Sequence, residues 1–361
     1  MSTDAQIVAA GACAPVGLTA EGVAASVRAG ISSVQCVQVP ELGGKADSFV
    51  AWYKLLDPDE WRGATRMALL GVTALTEIIG KLAPTAHLNI EVPVLVGLPE
   101  ERPGWEAADA SQVVAALGAV GAGGLRLRIE PRLAGHAAAL EGLQEAVTRV
   151  GRAERCPLVI VGGVDSYHEL ETLAWLRENN QWLEEGTRTG FAPGEAAAFV
   201  ALMAAPVARQ LGLTPAATVR AVASTHETQL INTEGLNLGE GLTAAVSKVL
   251  APLDGTRETV ENIHCDINGD RYRSEEWGFV ALRLGTAFRD ATAYHTPVRS
   301  CGDVGAATGA LNLVMSTQAW RRRYSSGPRT LIWGSSNAGL RAAALLEEPA
   351  PERGGTRSWA R

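Results

Sequence analysis

The sequence predicts an α/β fold made of two similar halves. Three observations carry that prediction. Helix-like and strand-like segments alternate along most of the chain, the strand-like runs are short and apolar, and one helix–connector–strand unit occurs twice.

The elements follow in order. AQIVAAGACAP reads as a first strand, closed by Pro15. TAEGVAASVRAG reads as a helix with Thr19 as its N-cap and Gly30 at its end. ATRMALLGVTALTEIIGKLAP reads as a helix that Pro84 terminates. EVPVLVGLP is a short buried strand. GHAAALEGLQEAVTRV, from Gly135 to Val150, is a helix with small residues on one side, and it leads into the central strand PLVIVGGVDS. Later in the chain, GAATGALNLVMSTQAW, the connector RRRYSSGPR and TLIWGSSNAG repeat this unit, with Gly162 and Gly334 in matching places. A period that long suggests a duplicated half rather than a solenoid unit. The halves are expected at 1–185 and 186–348, followed by a flexible tail, PAPERGGTRSWAR, at 349–361.

Composition narrows the function. With 47% hydrophobic and 20% charged residues, the 361-residue chain can bury a sizeable core. A net charge of −7 gives no drive toward nucleic acid or an anionic membrane. The run Arg321–Arg323 reads as a solvated helix end. The polar start, Met1–Asp4, and the breaks at Gly11 and Pro15 speak against a signal peptide, and no stretch is apolar enough to span a bilayer. Cys13, Cys36, Cys156, Cys265 and Cys301 are odd in number and widely spaced. They form neither a zinc pattern nor a disulfide framework, so a cytoplasmic location is expected, with no cofactor and no metal.

Five segments resemble the β-ketoacyl synthase branch of the thiolase-like superfamily: VAAGACAPVGLTAEGVAASVRAGISSV, VIVGGVDS, GFAPGEAAAFVAL, GDVGAATGALNLV and LIWGSSNAGLRAAAL. They occur in the family's order and span nearly the whole chain. The resemblance implies a five-layered α-β-α-β-α sandwich. It also implies a dimer through the sheets of the first halves, either a homodimer or a heterodimer with a related thiolase-like subunit.

The family's chemistry needs a cysteine thiolate and two histidines. Here LAGHAAALEGLQEAV puts His136 at the cysteine position, or Gly135 if the register slips by one. In IHCDINGDRYRSEEWG, Asp266 takes the place of the first histidine, and in GDVGA, Asp303 takes the place of the second. Carboxylates would oppose a developing oxyanion, so the resemblance implies a site of inverted sign and a protein without condensing activity. An imidazole with two carboxylates could instead hold a metal or run a hydrolytic relay. Each also has a plain structural role: Asp303 suits a helix cap, and His136 could donate to a loop carbonyl. In RYRSEEWGF, Ser274 reads as an N-cap, with Trp277 and Phe279 going to the core. STHETQLINTEGLN reads as a surface loop at the pocket mouth. Trp52, Trp61 and Trp105 fall in the least family-like stretch, 43–105, where they read as core residues or interface anchors.

Asp266, Asn268, Gly269, Tyr272, Arg273, Glu275 and Glu276, with Gly302, Asp303 and Gly305, are similar to accessory proteins of type VI secretion effector clusters. That likeness implies a non-catalytic co-chaperone that binds a secretion effector or adaptor, with Asn268, Tyr272, Arg273 and Glu276 as pocket or partner contacts. Two alternatives stand beside it. One is a non-condensing partner subunit of a ketosynthase heterodimer, like a chain-length factor. The other is a divergent acyltransferase or hydrolase using His136, Asp266 and Asp303.

Overall fold

A computed structural model describes residues 5–42, 47–54, 56–57, 60–152, 156–233 and 235–349. The tail expected at 349–361 lies outside them except for Pro349.

Ten strands form one hydrogen-bonded sheet whose order shows the duplication directly. The first five are β1 (Ala5–Cys13), β4 (Glu91–Leu98), β5 (Arg126–Leu133), β6 (Val159–Ser166) and β7 (Glu195–Ala204). They run spatially β5-β4-β6-β7-β1. The second five are β8 (Ala217–His226), β9 (Asn262–His264), β10 (Tyr294–His295), β11 (Arg329–Ser335) and β12 (Leu340–Glu347). They run β10-β9-β11-β12-β8, which is the same order. In both sets the first three of the spatial order are parallel and the last two antiparallel. Only Gln6–Thr218 and Ile7–Ala217 join β1 to β8 across the middle. The changeover falls between Ala204 and Ala217, later than the 185/186 division read from sequence, because β7 closes the first set by pairing with β1 and β6.

Three apolar clusters separate five layers. Helices α2 (Gly63–Lys81) and α3 (Ala107–Gly118) cover the outer face of the first set. Helices α7 (Glu240–Leu250) and α8 (Arg271–Leu284) cover the outer face of the second. Between the two sets lie α4 (Ala138–Val150) and α10 (Thr308–Arg321), with α1 (Ala20–Arg28) beside them. Every residue of α10 from Thr308 to Trp320 is buried, which is why this helix shows almost no amphipathic pattern. The short helices α6 (Ala205–Gln210) and α9 (Val298–Cys301) complete the connections. The hairpin β2 (Val34–Val37)–β3 (Ser48–Ala51) and helix α5 (Leu170–Glu178) form a separate small cluster over one end of the first set.

Glycines let the middle layer approach the sheets. A side chain at Gly163 would meet Ala306 O at 2.1 Å, and one at Gly334 would meet His136 O at 3.0 Å. Each glycine thus receives the start of the helix from the opposite half. Gly163 rather than Gly162 is therefore the counterpart of Gly334: Gly162 faces the other way, against Phe199 at 2.0 Å.

Local signals were mixed. Thr19 caps α1 through Gly22 N–H at 3.1 Å, as its sequence position suggests. The cap of α8 is Asp270, which accepts from Tyr272 N–H at 3.0 Å, and not Ser274. Asp270 supplies the acceptor one turn earlier, so Ser274 is already helical. Trp277 is buried and stacks on Trp333 with centroids 5.3 Å apart, while Phe279 is only half-buried. Trp105 is buried, and Trp52 and Trp61 are half-buried.

Candidate functional site

A cavity of about 270 Å³ opens where α4 begins, at the carboxyl ends of β4 and β6. Gly135, at φ +62°, turns the chain out of β5 and into a short 3-10 turn, Gly135–Ala137, ahead of α4. This turn carries His136 to the cavity wall. Ala137 N–H, at the helix start, donates to Ser336 Oγ at 2.9 Å.

His136, Asp303 and Arg273 meet in one network. His136 Nε2 lies 2.9 and 3.1 Å from the two carboxylate oxygens of Asp303. Asp303 also accepts from Gly305 N–H at 2.7 Å and Asn268 Nδ2 at 2.5 Å. Arg273 Nη2 stands 3.3 and 3.4 Å from the two imidazole nitrogens. Its Nη1 donates to Asp266 Oδ2 and Ser335 O, both at 2.5 Å. Asp266 Oδ2 takes a further bond from Ser335 N–H at 2.7 Å. All five side chains are buried. Burial alone would raise the Asp303 carboxyl. The His136 charge and hydrogen bond, with Arg273 and Asn268, outweigh it and hold Asp303 well below the usual carboxylate range.

The fold places further charged groups around the three sequence-read positions. The sequence pairs one imidazole with two carboxylates, but the fold adds two guanidinium groups. Asp266 is matched by Arg273, Asp165 by Arg102 at 2.6 Å, and Asp303 by His136. Glu100 and Glu101 also line the cavity, so carboxylates outnumber the guanidinium groups around it. Arg102 also lies over the Tyr167 ring, 4.2 Å from its centroid. Burial first, then Asp303 and Asp165, push the Tyr167 phenol well above its usual range.

Of the expected contacts, Asn268 and Arg273 line the cavity and Tyr272 and Glu276 do not. Glu276 is fully buried, held by Arg341 Nε and Ser335 Oγ, each at 2.6 Å. Tyr272 is half-buried, donates to Gln229 O and receives Arg341 Nη2, both at 2.7 Å. Leu230 and Asn232 do line the cavity, which places the segment just after β8 at its mouth. His264 is buried beside His295, with ring centroids 5.2 Å apart, and does not line it.

Sequence reasoning missed Arg102, Asp165 and Glu100. Asp165 accepts from Ala306 N–H at 2.8 Å, at the start of α10. Glu100 accepts from Asn337 and Ala338 N–H at 3.1 and 2.9 Å and so holds the β11–β12 turn against the cavity rim. A charged cluster, Glu100–Arg102, directly after an apolar strand was the available signal.

The chemistry open to this arrangement is narrow. No cysteine lines the cavity. Cys13 and Cys301 are buried and their thiols pushed up to about 12 by that burial, and Cys265 is raised for the same first cause. Both ring nitrogens of His136 already face charged protein groups, so neither offers a free lone pair to a substrate. Among the described residues no three His, Cys, Asp or Glu side chains are grouped to hold a metal ion.

No family model matches the chain, and no curated protein matches its sequence. Solved structures do match its shape. The ketosynthase from module 6 of the bacillaene synthase of Bacillus subtilis 168 superposes with a TM-score of 0.77 at 13% identity, over 96% of this chain and 72% of that one. A type II polyketide ketosynthase in complex with its acyl-carrier protein, bound to a hexaketide, gives 0.76 at 15% identity, over 97% and 100%. The ishigamide ketosynthase/chain length factor gives 0.67 at 19% identity, over 96% and 99%. No helix is long and apolar enough to cross a membrane among the described residues. With strand order, five layers and these superpositions in agreement, the chain has the thiolase-like ketosynthase fold.

Proposed function

We propose that this protein is a non-condensing subunit of a ketosynthase-type assembly, working beside a related thiolase-like subunit. One observation carries the reading: in the turn just ahead of α4, the cavity is lined by His136, tied to Asp303, and no thiol lines the cavity. Condensation through an acyl-enzyme needs a sulfur nucleophile there. The shape neighbours lend support, since one is a ketosynthase/chain length factor.

The first half also offers a docking edge. β5 ends the ten-stranded sheet, and its outer side has no strand partner among the described residues. Leu133, at its end, is 39% exposed beside the apolar residues Ala110, Val114 and Pro131. An uncovered strand edge with an apolar flank suits a second sheet.

The secretion-accessory reading gains nothing from the site. Of its signature residues, Asp266 and Glu276 are buried and held by Arg273, Ser335 and Arg341, Arg273 and Asn268 line the cavity, and Glu275 is exposed.

The test has two arms. Protein incubated with acetyl- and malonyl-N-acetylcysteamine should show no acyl adduct by intact mass and no release of carbon dioxide. Co-expression with a ketosynthase encoded beside it should give a one-to-one complex by native mass spectrometry. An acyl group on any cysteine, or decarboxylation above the buffer rate, overturns the reading.

A further inference from the structure

The second half carries a pair of histidines that the His136 cavity does not use. Strand β10 ends the ten-stranded sheet on this side, and its two residues pair with β9. His264 of β9 and His295 of β10 stand in direct parallel register. Residues paired in this way project from the same face of a sheet. The two imidazoles accordingly lie side by side, with centroids 5.2 Å apart and planes tilted by 36°. On its other side His264 is in register with Ile332 of β11, which belongs to the middle apolar layer, so the pair sits on that face at the margin of the sheet. His295 is exposed, and His264 is 8% exposed. Among the described residues neither ring has a hydrogen-bond or ion-pair partner, and the ring nitrogens of His264 are not among the polar atoms sealed from solvent.

We propose that His264 and His295 together bind one divalent ion of the zinc, copper or nickel class, with water completing its coordination. Two imidazoles on one tetrahedral ion, each bound through a nitrogen about 2.0–2.1 Å away, have ring centres about 5 Å apart. That is the spacing of this pair. An imidazole ligates as the neutral ring. No carboxylate stands beside either ring to hold it protonated, so both keep a lone pair at neutral pH. The charge that does act on His264 is that of His295, so no guanidinium is at hand to repel a metal ion either. With nitrogen donors and no carboxylate, the pair suits zinc, copper or nickel and offers little to magnesium or calcium. Two protein ligands make a modest site rather than a structural centre, in keeping with the absence of a third grouped His, Cys, Asp or Glu among the described residues. An ion held here would fasten β10 to the sheet, where two register pairs hold it to β9.

The experiment uses the full chain without a histidine tag, stripped of metal with EDTA and titrated with zinc chloride in a calorimeter at neutral pH. One zinc ion per chain should bind with a Kd below about 100 µM, and magnesium chloride should give no binding heat. His295→Ala removes an exposed ligand and should weaken zinc binding at least about tenfold. His226→Ala removes an exposed histidine outside the pair and should leave it unchanged. The proposal is overturned if zinc does not bind one to one in that range, if magnesium binds as well, if His295→Ala weakens zinc less than about tenfold, or if His226→Ala weakens it as much. His264→Phe should match His295→Ala. Because His295 lies exposed on the last strand, its variant decides the matter even if His264→Phe does not fold.

Discussion

Helices α4 and α10 start from one backbone motif, a glycine at positive φ (Gly135, +62°; Gly305, +49°) followed by a 3-10 turn, but they are closed by different chemistry. The start of α10 is sealed by carboxylates. Asp165 takes Ala306 N–H, Asp303 takes Gly305 N–H, and Arg102 holds Asp165 in place. The start of α4 receives only the Ser336 hydroxyl and is left facing a cavity, with His136 beside it. Asp165 and Ser336 stand two residues past Gly163 and Gly334, Asp165 near the end of β6 and Ser336 one residue beyond β11. A duplicated fold thus gives two helix N-termini with the same positive end. A carboxylate from the opposite half makes one of them structural, and a hydroxyl leaves the other free to carry a site.

If that contrast is right, the site side depends on its ion pairs more than on its cap. Arg273→Ala should have the largest effect, because it strands Asp266 in the interior. A loss of about 3–5 kcal/mol in urea unfolding at neutral pH is expected for an unpaired buried charge. Replacing both partners, Arg273→Met with Asp266→Leu, should restore much of it. Equal losses in the single and double variants would mean the pair is not the strut it looks like.

The two glycines offer the next test. A Cβ at Gly305 would stand 1.9 Å from Asp165 Oδ2, inside a sealed network, while one at Gly135 would stand 3.1 Å from the end of the flexible Glu100 side chain. Gly305→Ala should therefore cost about 3 kcal/mol and Gly135→Ala about 1 kcal/mol, the latter mainly for the left-handed backbone. Similar losses in thermal melts would remove the distinction between a sealed and an open helix start.

The duplication was legible in the chain because it lives in local patterns: small-residue helices, apolar strands and paired glycines. Gly334 was placed correctly and its partner missed by one residue, since a strand's faces alternate and the apolar run PLVIVGGVDS does not say which face is which. Strand β5, RLRIEPRL, was invisible as a strand because an edge position tolerates charge and proline. The site was half legible. His136, Asp303, Asn268 and Arg273 converge in one hydrogen-bonded network. Arg102 and Asp165 were missed, and Glu276 was misassigned, because their partners lie far away in sequence. Asp165 meets Ala306, and Glu276 meets Arg341, only after both halves have folded.

Asp303 joins the two helix starts, and its titration reads that junction. Its folded pKa lies below its unfolded value of 3.8, so the stabilisation it provides is present above that value and lost as acid carries the pH down through the folded pKa. Wild-type stability should therefore fall steeply below about pH 4. Asp303→Asn should be less stable by about 2 kcal/mol at pH 7 and lose less on acidification. Parallel pH curves for the two proteins would place the acid sensitivity elsewhere.

The smallest effect should come from the cap itself. Ser336 Oγ accepts from Ala137 N–H and donates to Ala134 O, so it satisfies the chain on both sides of the turn that holds His136. Ser336→Ala should cost about 1 kcal/mol in urea unfolding. Ser336→Asp imitates the α10 arrangement and should still not recover that loss. An ionised carboxylate can accept from Ala137, but it has no proton for Ala134 and would turn charge against that carbonyl. A Ser336→Asp protein more stable than wild type would show that α4 keeps its hydroxyl for some reason other than this two-sided bond, and that the two helix starts could have been closed alike.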